Sequence, residues 1–229
     1  VTSAHEVNPA REAVGAHFDP VLMQRARERS WAALHAIRAR MHPGISEAEA
    51  RLVAAEVFAE LGCERLWHPP LIRIGPNTTR TFRQRSDPNV RLGEDDSYFI
   101  DLGLVFDRHE GDVGDTFVQG HAPQRQACAE AARELFRQVA ATWRDEGLSG
   151  LALYAFAHER AHAMGWRLNH ATRGHRLGDF PHAIHRGGDL GDLEKAPASG
   201  LWVLEIQIAH PDQPFGAFYE DLLHHTTSE

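Results

Sequence analysis

Ser97-Tyr-Phe-Ile-Asp-Leu-Gly-Leu-Val-Phe106-Asp-Arg-His-Glu-Gly-Asp112-Val-Gly-Asp-Thr-Phe117 reads as strand, turn and strand. Tyr98 to Phe106 is apolar and rich in aromatic and β-branched residues, which suit a pleated, buried surface. Asp107 to Gly111 is turn-prone, and Asp112 opens a second strand-like run through Val113, Thr116 and Phe117. Asp101 interrupts the first strand. A carboxylate buried there is costly unless a cation or several donors offset its charge.

Length and composition fit a soluble globular protein. Its 229 residues suit one large domain or two closely packed halves. Hydrophobic content of 42% and charged content of 24% are ordinary for a globular protein. A net charge of −8 argues against nucleic acid or an anionic membrane as the main partner. No apolar run approaches a membrane span, and the first residues lack a signal peptide's apolar core. Cys63 and Cys128 are far apart without metal-ligand spacing, so a reducing cytoplasm is expected. With sixteen histidines, most must serve the surface or packing.

Residues 1–20 read as an N-terminal arm, and 21–229 as one domain with halves at about 21–120 and 121–229. Val21 to Arg40 has helical spacing, broken at Met41-His-Pro-Gly44. Ser46, with Glu49 three residues on, caps a second helix that runs to Leu61. Trp67 to Ile74 reads as a strand whose His68-Pro-Pro70 start confines it to an edge. Gly75 to Thr78 is a turn, and Thr79 to Asp96 a polar loop. Gln124 to Glu146 and Leu151 to Met164 repeat the helix pair. Leu201 to Ala209 and Phe215 to Leu223 repeat the hairpin, around His210-Pro-Asp-Gln-Pro214. The fold class expected is α+β: two helix-helix-hairpin units sharing one sheet.

Glu205 and Glu220 also interrupt apolar strands. Their midpoint lies between Asp212 and Gln213, so a hairpin closed there sets them opposite each other on one face. The midpoint of Asp101 and Asp112 falls just before the best turn residues, which makes that pair diagonal or bulged. Four inward carboxylates with an imidazole from Asn169-His-Ala-Thr-Arg-Gly-His-Arg-Leu-Gly-Asp-Phe-Pro-His182 suit two divalent cations with bridging carboxylates: manganese, cobalt, iron or zinc.

Asp101, Asp112, Gly174-His-Arg-Leu-Gly178, Glu205 and Glu220 stand in the order and approximate spacing of the methionine aminopeptidase/creatinase family, which includes the Xaa-Pro aminopeptidases and prolidases. The resemblance covers the chain from about Val21, including Met41 to Glu49, and implies the pita-bread fold with two pseudo-symmetric halves. It implies metal ligation by Asp101, Asp112, His175, Glu205 and Glu220, with Asp112 and Glu220 bridging. It further implies Glu205 as proton carrier and His182 as the second histidine, in contact with the substrate carbonyl. Two cations so held would activate water for attack on that carbonyl. The implied activity is amide hydrolysis by an aminopeptidase or dipeptidase on a small peptide, or by a creatinase-like enzyme on a small non-peptide amide. A homodimer is a further implication, and a non-catalytic pita-bread binding module is the alternative from another class.

Several family positions differ. The histidine before the first Asp is replaced within Arg80 to Arg85, where Phe82 or Arg83 is nearest the slot. His68 is either an upstream substitute in substrate binding, beside Phe82, or a structural residue. Ile206 replaces a proline, Phe218 an arginine and Asp115 a cation. His158-Glu-Arg-Ala-His162 is a formal zinc-protease signature, but Leu168 stands where its extended form needs histidine; a solvated helix face is expected instead. His170 and His185 flank the site, with Gly187-Gly188 and Gly191 in a loop at its mouth.

Overall fold

The computed structural model describes residues 9–182 and 188–225; His185 and Gly187 lie outside them. Two helix pairs and two hairpins appear in the expected order. Helix α1 spans Pro20–Arg38 and α2 Glu47–Glu60, the latter capped by the reciprocal Ser46–Glu49 box. Strands β1 (Arg65–Leu66) and β2 (Leu71–Ile74) precede the hairpin of β3 (Asp96–Phe106) and β4 (His109–Gln119). Helices α3 (Pro123–Glu146) and α4 (Gly150–Ala163) follow, then β5 (Arg167–Leu168) and β6 (His175–Arg176). Strands β7 (Trp202–Ala209) and β8 (Gly216–Leu222) form the second hairpin. Among the described residues no helix is long and apolar enough to cross a membrane.

One antiparallel sheet joins the halves in the order β1-β3-β4-β8-β7-β5, with β2 also on β3 and β6 also on β7. The long hairpins therefore meet at the centre through β4 and β8. Alternation along each strand sorts the two faces. Ile100, Leu102, Leu104 and Val113 join α1 and α2 residues in one core; Leu204, Ile206 and Ile208 join α3 and α4 residues in the other. The opposite parity carries Asp101, Asp112, Glu205 and Glu220. Arg27 of α1 reaches across to β8 and holds Asp221 bidentately at 2.5–2.6 Å.

Two local expectations need correction. The first hairpin closes in two residues, Asp107 and Arg108, both at positive φ, a geometry whose twist matches that of the strands. His109, Glu110 and Gly111 therefore belong to β4 rather than to a turn. The predicted strand Trp67 to Ile74 is divided, with 67–70 outside both β1 and β2, because the two prolines cannot donate to a ladder.

Candidate metal centre

Register brings the four acids together. Glu205 pairs directly with Glu220 across β7–β8. Asp101 pairs with Gly114, and Asp112 with Gly103, so the first two acids are diagonal neighbours. Gly114 also pairs with Glu220, which closes the group across the seam. Glycine is needed there: a Cβ on Gly114 would come within 2.6 Å of the Phe218 ring and 2.9 Å of Glu220 Oε1.

Two imidazoles join the carboxylates. His175 is delivered by β6, and its Nε2 lies 2.7 Å from Asp112 Oδ2 and 3.8 Å from Glu205 Oε1. Gly174, left-handed at φ +66°, turns its N–H onto Glu205 Oε2 at 2.8 Å. His68 stands between the first two acids, its Nε2 3.3 Å from Asp112 Oδ1 and 3.4 Å from Asp101 Oδ1. It is thus placed at the carboxylates rather than in the adjoining hollow.

The electrostatics call for a cation. Burial, only partly offset by His68, raises Asp101 to about 7. Burial acts the same way on Asp112, but hydrogen bonds from His175 and His68 hold it down at about 2. Burial opposes charge on both imidazoles, yet Asp101 and Asp112 push His68 up to about 10, and Asp112 pushes His175 up to about 9. Burial also lifts Glu205, and it lifts Glu220 well above the carboxylate range with Asp112, Asp101 and Glu205 adding repulsion. Both Glu220 oxygens are buried without a hydrogen-bond partner, an expensive state for a carboxylate. Ligand atoms of His68, Asp101 and Asp112 lie within 4.8 Å of one another, as do those of Asp112, His175 and Glu220. The two groups overlap at Asp112, and their carboxylate and imidazole donors fit divalent-ion binding.

Around this cluster, Trp67 packs against three imidazoles, with ring centroids 4.4 Å from His68, 5.0 Å from His175 and 5.2 Å from His182. His182 Nδ1 donates to Glu110 Oε2 at 2.5 Å. Exposed Phe82 lies at a small hollow beside Asp101 and Glu205, shared with Leu71, Arg80, Phe99 and Phe218. A larger hollow of about 730 Å³ lies elsewhere, between Phe18, Met23 and Leu222; it contains none of the clustered acids. Phe218, in place of the family's arginine, packs on Phe99 at 5.1 Å. Asp115 turns to the helix side, where Arg133 donates to it at 2.8 Å.

His158, Glu159 and His162 are exposed on α4, and His158 Nδ1 meets His170 Nε2 at 3.0 Å. The zinc-protease signature therefore lies on an outer helix face. Sequence reasoning missed Trp67 and Glu110. The only signal for Trp67 was its place beside His68, and Glu110 was concealed in the supposed turn.

None of the curated proteins matches the sequence. Similar solved structures include a prolidase from Pyrococcus horikoshii, at 21% identity and TM-score 0.73, covering 89% of this chain and 58% of that one. An X-Pro aminopeptidase from Thermotoga maritima has 17% identity and TM-score 0.72, with coverage of 87% and 56%. A methionine aminopeptidase from the same organism has 14% identity and TM-score 0.69, with coverage of 90% and 92%. The chain thus spans less than two thirds of the prolidase and X-Pro aminopeptidase, and nearly all of the methionine aminopeptidase. These likenesses establish the pita-bread fold. The model of metallopeptidase family M24 matches residues 21–227, and the chain belongs to that family.

Proposed function

We propose that the protein is a dinuclear metal-dependent hydrolase of an amide bond, acting as an aminopeptidase or dipeptidase on a small peptide. The observation that carries this reading is Glu220, whose two buried oxygens reach no donor while three further carboxylates and two imidazoles converge beside it. Asp101, Asp112, His175, Glu205 and Glu220 would hold two divalent ions, with Asp112 and Glu220 shared. When bound, such a pair supplies a water acidic enough to act as nucleophile near neutral pH and polarises the carbonyl under attack.

The chain's own residues do the remainder. Glu205, raised by burial, accepts the proton of the attacking water and passes it to the leaving amine. Its Oε2 is fixed by the Gly174 N–H, so the proton travels on Oε1. His182, held through Nδ1–H by Glu110, would act as the imidazolium and donate its Nε2–H to the carbonyl oxygen as charge develops there. Phe82, Phe99, Phe218 and Leu71 form an apolar wall around the small hollow by Asp101 and Glu205, which suits a small side chain. The similarity to structures of a prolidase, a dipeptidase and a methionine aminopeptidase supports a peptide substrate. Phe82 and Phe218, standing where family members carry polar groups, favour as second reading a small non-peptide amide.

The test is metal content of the purified protein and of an Asp112→Ala variant, followed by a screen of dipeptides, N-terminal peptides and small amides. About two ions per chain, lost with hydrolysis in the variant, are expected. Absence of bound ion after loading with manganese or cobalt would sink the hydrolase reading and leave a binding module.

A further inference from the structure

We propose that His68 is itself a metal ligand, completing the Asp101 side of the centre, so that each of the two ions carries one imidazole. This rests on the two-ion reading above and extends it to a residue outside the five implied ligands.

The two imidazoles are mounted alike. His68 Nδ1 bonds the carbonyl of the next residue, Pro69, at 2.8 Å, and His175 Nδ1 bonds that of Arg176 at 3.2 Å. A carbonyl only accepts, so in each ring Nδ1 keeps its proton and Nε2 is the nitrogen left to coordinate. Such a bond is the usual way a ligating histidine is oriented. Asp112 then divides its oxygens: Oδ1 faces His68 and Oδ2 faces His175. A carboxylate that bridges two ions with one imidazole on each would be arranged in this way.

His68 lies farther from its nearest acid than His175 does. His175 Nε2 sits at 2.7 Å from Asp112, within the range of a charge-assisted hydrogen bond. His68 Nε2 stands off at 3.3 and 3.4 Å from two acceptors, on Asp112 and Asp101. Ligand atoms about 2.1 Å from one ion lie about 3.0 Å apart on an octahedral edge and about 3.4 Å on a tetrahedral one. His68 therefore stands at ligand-to-ligand separation from both acids.

The surroundings hold the ring there. A Cβ on Gly103 would lie 2.1 Å from His68 Cδ2 and 2.6 Å from Trp67 Nε1, so the missing side chain at 103 is what admits the imidazole. Trp67 packs edge-on against it at 4.4 Å. Chemically, a nitrogen donor moves this ion's preference away from manganese, which suits oxygen-only sets, toward zinc, cobalt or iron.

The experiment uses the full chain, stripped and reloaded with zinc, cobalt or manganese, and reads stoichiometry by equilibrium dialysis and ligand field by cobalt absorption. Wild type should bind two ions. His68→Gly should hold the His175-side ion, weaken the other at least about tenfold for zinc, and lose its zinc-over-manganese preference. Added imidazole should restore both. Gly103→Ala, which keeps the histidine but displaces it, should reproduce the defect without imidazole rescue. Two ions bound by His68→Gly with unchanged affinity, preference and cobalt spectrum would overturn the proposal and leave the hydrolase reading intact. So would a loss that imidazole does not repair. Failure of wild type to bind two ions would overturn the two-ion reading, and this proposal with it.

Discussion

Glu110 grips His182 by both ends: Oε2 accepts from the ring Nδ1 at 2.5 Å, and Oε1 accepts from the His182 backbone N–H at 3.1 Å. Oε2 also takes the Gly178 N–H at 3.2 Å, so a single buried carboxylate spans the loop from Gly178 to His182. An acceptor at Nδ1 keeps a proton on that nitrogen, favours the imidazolium in which Nε2 also donates, and fixes the ring plane. Glu110→Gln should lower kcat about ten- to a hundredfold, with bound metal unchanged. Kinetics beside metal analysis would show it; a fall in metal content instead would assign Glu110 to the centre's integrity.

Glu205→Gln separates ligation from proton transfer. The amide oxygen can still occupy the ligand position, but it cannot carry the proton. Hydrolysis should fall about a hundred- to ten-thousand-fold while most bound metal is retained. Glu220→Gln, at a position implied only in binding and bridging, should instead reduce metal stoichiometry.

Stability of the metal-stripped protein should decline as pH rises. Asp101 moves from an ordinary 3.8 to about 7 on folding. Within that window the folded state binds more protons than the unfolded chain, so unfolding free energy falls with pH. Glu220, raised in the same direction, adds to the loss. His68 and His175, raised from 6.5 to about 10 and about 9, contribute stability that is full below 6.5 and disappears as pH climbs through their folded values. Asp112, lowered from 3.8 to about 2, opposes this trend only below its unfolded value, so above it these four slopes share one sign. Melting temperature against pH, with and without manganese or cobalt, should show a fall that the ion reverses above neutrality.

The Arg27–Asp221 pair joins the first helix to the last strand and is largely buried. Arg27→Met leaves Asp221 without its cation and should cost about 3 kcal/mol, read by urea denaturation as a lower midpoint in a single transition.

The register of the second hairpin was legible, because Pro211 and Pro214 bracket its turn and set Glu205 opposite Glu220, and its strands end within one residue of the expected bounds. The first was not, for a physical reason. Gly111 resembles a turn signal, yet it is present because α1 lies on it: a Cβ there would meet Ser30 Oγ at 2.3 Å and Ala26 O at 2.5 Å. The actual turn uses Arg108 at φ 62°, which nothing in local composition announces. His68 was visible as a candidate but not its place, since the Gly103 opening opposite it depends on tertiary packing. Asp101, Glu205 and Glu220 were legible because a charge within an apolar strand is costly and so stands out; Asp112, at the opening of its strand-like run, was legible through its family motif.

The seam between β4 and β8 also ties the centre to folding. Asp101 and Asp112 come from one hairpin and Glu205 and Glu220 from the other, so neither half alone assembles the cluster. Docking β8 against β4 drives Glu220 toward three other acids, and a divalent ion present at that moment turns repulsion into attraction. A bound ion would then favour the joined halves over the separated ones, so metal affinity and the stability of the seam would rise together.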